Sequence, residues 1–159
     1  MKAALRHSVF FIISLVIGGL SASCTCTEPY SQEDYVKTRK RDKSGRYEFV
    51  LDMSDSLKRY DLDLIVVMDC GKKRFSSFEN ASVNMLWVSP SGQLFNETVW
   101  LSRKDLSSRT LFSRLFEVRY RAGLVPTEYG NWKLYIALKE DVLSTYRVPG
   151  IGIRLKKKN

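Results

Sequence analysis

Residues 60–68 read Tyr-Asp-Leu-Asp-Leu-Ile-Val-Val-Met, and their period decides the fold class. Leu62, Leu64, Val66 and Met68 alternate with Asp61, Asp63, Ile65 and Val67. A repeat of two places one set on each face of a strand, whereas a helix would repeat every 3.6 residues. The stretch turns apolar on both faces at its end, which predicts a central strand. Upstream, Tyr47, Phe49, Leu51 and Met53 keep the same period. Downstream, Val83, Met85 and Trp87 start a third strand, and Ser89-Pro90-Ser91-Gly92 supplies turn residues. Phe95, Val99 and Leu101 follow in a fourth, so strands three and four are expected to form a hairpin. Phe116, Val118 and Tyr120 mark a fifth strand. Trp132, Leu134, Ile136 and Leu138 mark a sixth, and Ile151, Ile153 and Leu155 a seventh. About seven short strands without a long helix predict an all-β antiparallel β-sandwich, Ig-like or jelly-roll-like, over 47–159. A helical turn is expected near Asp141–Thr145, and Ser102–Ser113 reads equally as helix or loop.

The chain has 159 residues, a net charge of +9, 44% hydrophobic and 27% charged residues. That is one domain's length and an ordinary globular balance, which argues against a multidomain enzyme and against wholesale disorder. Three cysteines are too few for a disulfide-dense mini-scaffold. The single histidine, His7, sits in a leader-like segment. There Lys2 and Arg6 precede an apolar run from Ser8 to Leu20, too short to span about 30 Å of hydrocarbon but suited to a secretory signal. Leu20-Ser21-Ala22-Ser23-Cys24 follows, with small residues before a cysteine, as in an imperfect bacterial lipobox. The reading is a signal peptide over 1–23 with lipid attachment at Cys24. Plain cleavage after Ser23 and an uncleaved anchor are the alternatives. Thr25, in place of Asp, favours the outer membrane. Removal of 1–23 would leave a chain without histidine, and so without Ser-His-Asp or Cys-His catalysis and without His-ligated metals.

Residues 24–46 are polar and irregular and read as a flexible tether. Lys37, Arg39, Lys40, Arg41, Lys43 and Arg46 form its basic run. That run is a solvated linker or a contact for anionic lipid head groups; no nucleic acid partner is expected of an exported protein.

Other constellations have a structural and a functional reading each. Cys26 and Cys70 are a candidate disulfide, set against Cys70 as a buried or turn thiol. Asp61 and Asp63 share one strand face, most simply a solvated one, with Ca²⁺ binding and carboxylate catalysis as the functional readings. Trp87 and Trp132 fall in core registers, whereas Trp100 is out of phase with Phe95, Val99 and Leu101 and is the candidate exposed binding aromatic. Asp55-Ser56-Leu57 matches a short O-glycosylation pattern at Ser56. Gly150-x-Gly152 opens no helix and is not a dinucleotide loop. No catalytic residue, metal site or cofactor is expected.

YDLDLIVVM (60–68), NMLWVSPSGQLFNETVWL (84–101) and GNWKLYIALKEDVLSTYRVPGIGIRLKKK (130–158), in that order behind the lipobox, resemble the gliding-motility lipoprotein H (GldH) family of Bacteroidota. The chain departs from the family at Glu97-Thr98, where Asp-Thr is usual, and over Ser102–Arg121. The resemblance implies a lipid-anchored, exported, non-enzymatic envelope component held by the membrane and engaging other envelope proteins. It carries no catalytic residue over. The alternative function is a surface or periplasmic carbohydrate- or glycan-binding β-sandwich.

Overall fold

The computed structural model describes residues 31–158. These form nine strands and two short α-helices. The elements are β1 (Ser31–Lys37), β2 (Tyr47–Met53), β3 (Arg59–Met68), α1 (Lys72–Phe75), β4 (Asn80–Val88), β5 (Leu94–Ser102), β6 (Leu106–Arg109), β7 (Arg114–Leu124), β8 (Gly130–Leu138), α2 (Glu140–Tyr146) and β9 (Gly150–Lys158). One sheet has the order β1-β9-β3-β7-β6 and the other β2-β8-β4-β5, with every pairing antiparallel. The β-sandwich expected from the alternation is the observed fold.

The period-two residues build the core. Leu62, Leu64, Val66 and Met68 of β3 are all buried, as are Phe49 and Leu51 of β2, Val83 and Met85 of β4, and Leu134 and Ile136 of β8. Full burial of each such side chain contributes about 1.5–3 kcal/mol relative to exposure. The β4–β5 hairpin closes through Ser89, whose N–H donates to Gln93 O at 2.9 Å and whose carbonyl accepts from Gly92 N–H at 2.9 Å. Gly92 holds φ +90°, a conformation that a side chain would strain.

Three expectations are corrected. First, there are nine strands rather than seven. Ser102–Ser113 resolves into a 3-10 turn at Arg103–Asp105 and the short edge strand β6. Second, the tether over 24–46 is wrong for its described part. Ser31–Lys37 is the edge strand β1, paired along its whole length with β9. Its side chains are mostly exposed because it is an edge, so it lacks the apolar alternation that betrays an interior strand. Gln32 also bridges the two sheets: its amide donates to Val50 O at 2.7 Å and accepts from Asp52 N–H at 3.3 Å. After β1 the chain is pinned again, Thr38 N–H donating to Pro149 O at 2.8 Å and its hydroxyl to Val148 O at 2.6 Å.

Third, Asp61 and Asp63 share a face but are not solvated; they are 1% and 3% exposed. They lie on the outer face of the five-stranded sheet, under long basic side chains from β7 and β9. Asp63 meets Arg119 Nε at 3.2 Å and Lys156 Nζ at 3.1 Å. Asp61 Oδ1 accepts from Gly123 N–H at 2.8 Å. Its Oδ2 lies 2.6 Å from Lys158 Nζ as an ion pair, with no aligned hydrogen bond to that oxygen. Arg154 is held by Glu33 of β1 and Glu117 of β7. The stems of these cations exclude water while their heads neutralise the acids.

The Lys158 ammonium, with help from Gly123 N–H and Arg119, holds the Asp61 carboxyl below its ordinary value. Asp52 is lowered too, by Ser54 and by Lys157. A carboxyl whose pKa is depressed on folding contributes stability that is complete above its unfolded pKa and lost as pH falls through the folded one. The urea midpoint should therefore be flat from neutrality to about pH 5 and decline below about pH 4. Asp61→Asn should lower the neutral-pH midpoint and flatten the acid decline; an undiminished decline in that variant would remove Asp61 from the account.

Candidate functional site

At one end of the sandwich the sheets part, and a cleft of about 350 Å³ opens between β5 and the β7–β8 connection. Trp87 of β4, Trp132 of β8 and Phe95 of β5 form its aromatic side, and Leu124, Val125 and Pro126 face them. Alternation places these residues. Phe95, Glu97, Val99 and Leu101 are the inward set of β5, but β5 is an edge strand, so its first residues reach past the core to the rim. Trp132 stands edge-on to Trp87 at 6.1 Å and tilted against Phe95 at 6.1 Å. Trp132 Nε1–H donates to Glu128 O at 2.9 Å. The Glu128 carboxylate in turn accepts from Ser91 N–H at 2.9 Å and from the Ser89 hydroxyl at 3.0 Å, tying the β7–β8 loop to the β4–β5 turn. The Ser91 hydroxyl, donating at 2.7 Å, and then those two bonds hold its carboxyl below the usual range.

A polar chain runs on from Trp87, with Glu97 and Arg121 lining the cleft and Tyr120 joined to both. Trp87 Nε1–H donates to the Tyr120 hydroxyl at 2.9 Å, and that hydroxyl donates to Glu97. Arg121 also donates to Glu97, and its guanidinium lies 5.1 Å from the centre of the Tyr120 ring. Burial, followed by the hydrogen bond to Glu97, pushes the Tyr120 hydroxyl up to about 12, so it stays protonated through the physiological range. Tyr120, Glu97 and Arg121 satisfy one another. The lining presents fixed dipoles and aromatic faces, not a free base beside a nucleophile.

Trp87 and Trp132 are each 6% exposed, so they serve the core and show only an edge to the cleft. Trp100 is 63% exposed, but it points from the outer face of β5, opposite Ser82, and lies away from the cleft. The outer face around it is polar: Thr98 donates to Asn84 at 3.1 Å, and Arg46 covers the Tyr135 ring at 4.7 Å. Trp100 thus has no row of exposed rings beside it there. Ser56 is exposed in the turn between β2 and β3. Cys70 is buried, which pushes its thiol up. Cys24 and Cys26 lie outside the described residues, so the lipid site and the Cys26–Cys70 pairing do too. Of the basic run, Arg41 pairs with Glu140 and Arg46 with Asp42 at 2.9 Å, whereas Lys37, Arg39, Lys40 and Lys43 are exposed. Among the described residues no group of three His, Cys, Asp or Glu side chains is placed to hold a metal ion.

Glu97, Tyr120 and Arg121 were not singled out by the sequence. Glu97 carried a usable signal, because a carboxylate in the inward register between Phe95 and Val99 needs buried partners. Tyr120 carried none, since its hydroxyl partners come from distant strands. The chain matches no model of a known protein family, and no curated protein matches its sequence.

Proposed function

We propose that this chain is a lipid-anchored protein of the bacterial outer membrane, similar to gliding-motility lipoproteins, and that its sandwich is a non-enzymatic recognition module. The leader, the small residues before Cys24 and Thr25 support the address. The aromatic cleft supports the role: it offers preformed apolar area, while its polar groups are already satisfied by one another. An apolar or aromatic side chain from another envelope protein fits that lining. A second reading, a glycan site, is favoured by Phe95 alone, a 42% exposed ring in the cleft lining, since sugar rings stack on aromatic faces.

Two measurements test this. Cys24→Ala should release the protein from membranes and remove its lipid mass; unchanged retention in the membrane fraction would refute the anchor. A photo-crosslinking residue at Phe95, which is 42% exposed, should capture a discrete protein in intact cells, and one at Trp100 should not. Capture equal at both positions would refute the cleft as the recognition site. Competition of the Phe95 adduct by soluble oligosaccharides would favour the glycan reading.

A further inference from the structure

The end of the sandwich opposite the cleft carries a different surface. There β6 and β7 join in a tight hairpin whose two tip residues are Leu111 and Phe112. Thr110 N–H donates to Ser113 O at 2.8 Å, and Ser113 N–H donates to the Thr110 hydroxyl at 3.0 Å, so the tip is held in shape. Turns of this kind are normally filled by Gly, Asn, Asp or Pro. Here the two side chains are large, apolar, and 80% and 75% exposed. They pack into no core.

Cations surround them on both sides. Leu111 lines a depression with Lys72, Arg103 and Arg109. Phe112 lines another with Lys73, Arg74 and Arg147, where Asp69 is the one acid. These six basic side chains are exposed, and none forms an ion pair with a carboxylate among the described residues. The contrast with the outer sheet face is sharp, since there Arg119, Arg154, Lys156 and Lys158 are each matched to an acid. Four of the cations have fixed surroundings: Arg103 donates to Phe75 O at 3.1 Å, as well as to Phe78 O and Ser76 O, and lies over the Phe75 ring at 5.5 Å, and α1 carries Lys72, Lys73 and Arg74 in consecutive positions.

We infer that this end is a docking surface for an anionic lipid bilayer, with Leu111 and Phe112 entering the acyl boundary and the six cations meeting lipid phosphates. Charge complementarity selects the occupant. A soluble polyanion would use the cations but would leave two exposed apolar side chains in water. A neutral apolar partner would leave six cations unmatched against it. An anionic membrane serves both, because interfacial binding combines buried apolar area with attraction to acidic head groups. Each cation close to such a surface raises affinity up to about fivefold, and salt reduces the gain. The surface is distinct from the proposed anchor. Ser31 pairs with Lys156, whereas Lys37 pairs with Gly150, so the described chain starts at the end of the sheet away from the hairpin.

The test uses the full chain carrying Cys24→Ala, so that anchor and tip are separated. Protein immobilised through its C-terminus is offered dye-loaded vesicles of phosphatidylcholine alone or with phosphatidylglycerol. It should retain the anionic vesicles at least about tenfold better, and that excess should fade with added salt. L111S/F112S and K73E/R74E should each remove most of the excess while leaving the thermal midpoint unchanged, since all four residues are exposed. Equal retention of both vesicle types would overturn the inference. So would loss of the excess in the charge variant but not in the apolar one, which would assign the surface to a soluble polyanion.

Discussion

Replacing Trp132 by alanine is expected to cost about 3–5 kcal/mol of folding free energy, read from urea unfolding. The side chain joins three contacts that no smaller residue reproduces. Its ring packs against Trp87 and Phe95, and Nε1–H satisfies Glu128 O at 2.9 Å. Truncation leaves a cavity beside rings held from β4 and β5, which cannot collapse without moving two strands. It also frees the β7–β8 loop, so the cleft should lose its shape together with its stability. Trp132→Phe separates the two effects: it keeps most of the packing and removes only the hydrogen bond, for a loss of about 1–2 kcal/mol. Trp100→Ala, at a position 63% exposed, should stay within about 0.5 kcal/mol of the parent. A near-zero cost at Trp132, or a large one at Trp100, would invert the register assigned to β8 and β5.

The contrast between these tryptophans shows what a sequence exposes. Period-two alternation reports which face a residue takes, and it placed Trp132 inward and Trp100 outward without any structure. It works wherever a strand has one apolar and one polar face, as in β2, β3 and β8. It fails for β1 and β6, because an edge strand or a short one buries too little to need the pattern. It misled at Asp61 and Asp63, where a charge on the outer face reads as solvated unless the neighbouring strands are known. The covering lysines lie more than 90 positions away, on β9. The aromatic cleft was half legible. Its rings follow from alternation, but the gap between the sheets depends on where β5 and β7 diverge, and no local pattern encodes that. The hairpin tip was least legible, since Ser102–Ser113 reads equally as helix or loop and β6 has no buried residue to mark it as a strand.

Gly150→Val is expected to destabilise by about 3 kcal/mol or more, and to do so by expelling β1. A Cβ at Gly150 would lie 2.5 Å from Val36 O and 2.7 Å from the Tyr35 ring. The first of those is backbone and cannot rotate away. Gly152 is milder, with Asp34 O and Tyr35 Cδ2 each 3.2 Å from the built Cβ, so Gly152→Ala should cost about 1–2 kcal/mol. The glycine pair therefore has a structural cause: Tyr35 of the neighbouring edge strand lies across β9, and only residues without side chains leave room beneath it. At Gly150 the crowding atoms belong to residues 35 and 36, which makes the prediction a direct test of whether this segment is sheet or linker. Hydrogen exchange decides it. In the parent protein the amides of 31–37 that face β9 should be protected, and in Gly150→Val they should exchange at the rate of open chain. Deleting 37–46 should also be damaging, because it removes Thr38, which binds Pro149 O and Val148 O, and Arg41, which pairs with Glu140. If both variants unfold like the parent, with 31–37 unprotected throughout, the edge strand is not part of the folded domain and the sheet ends at β9.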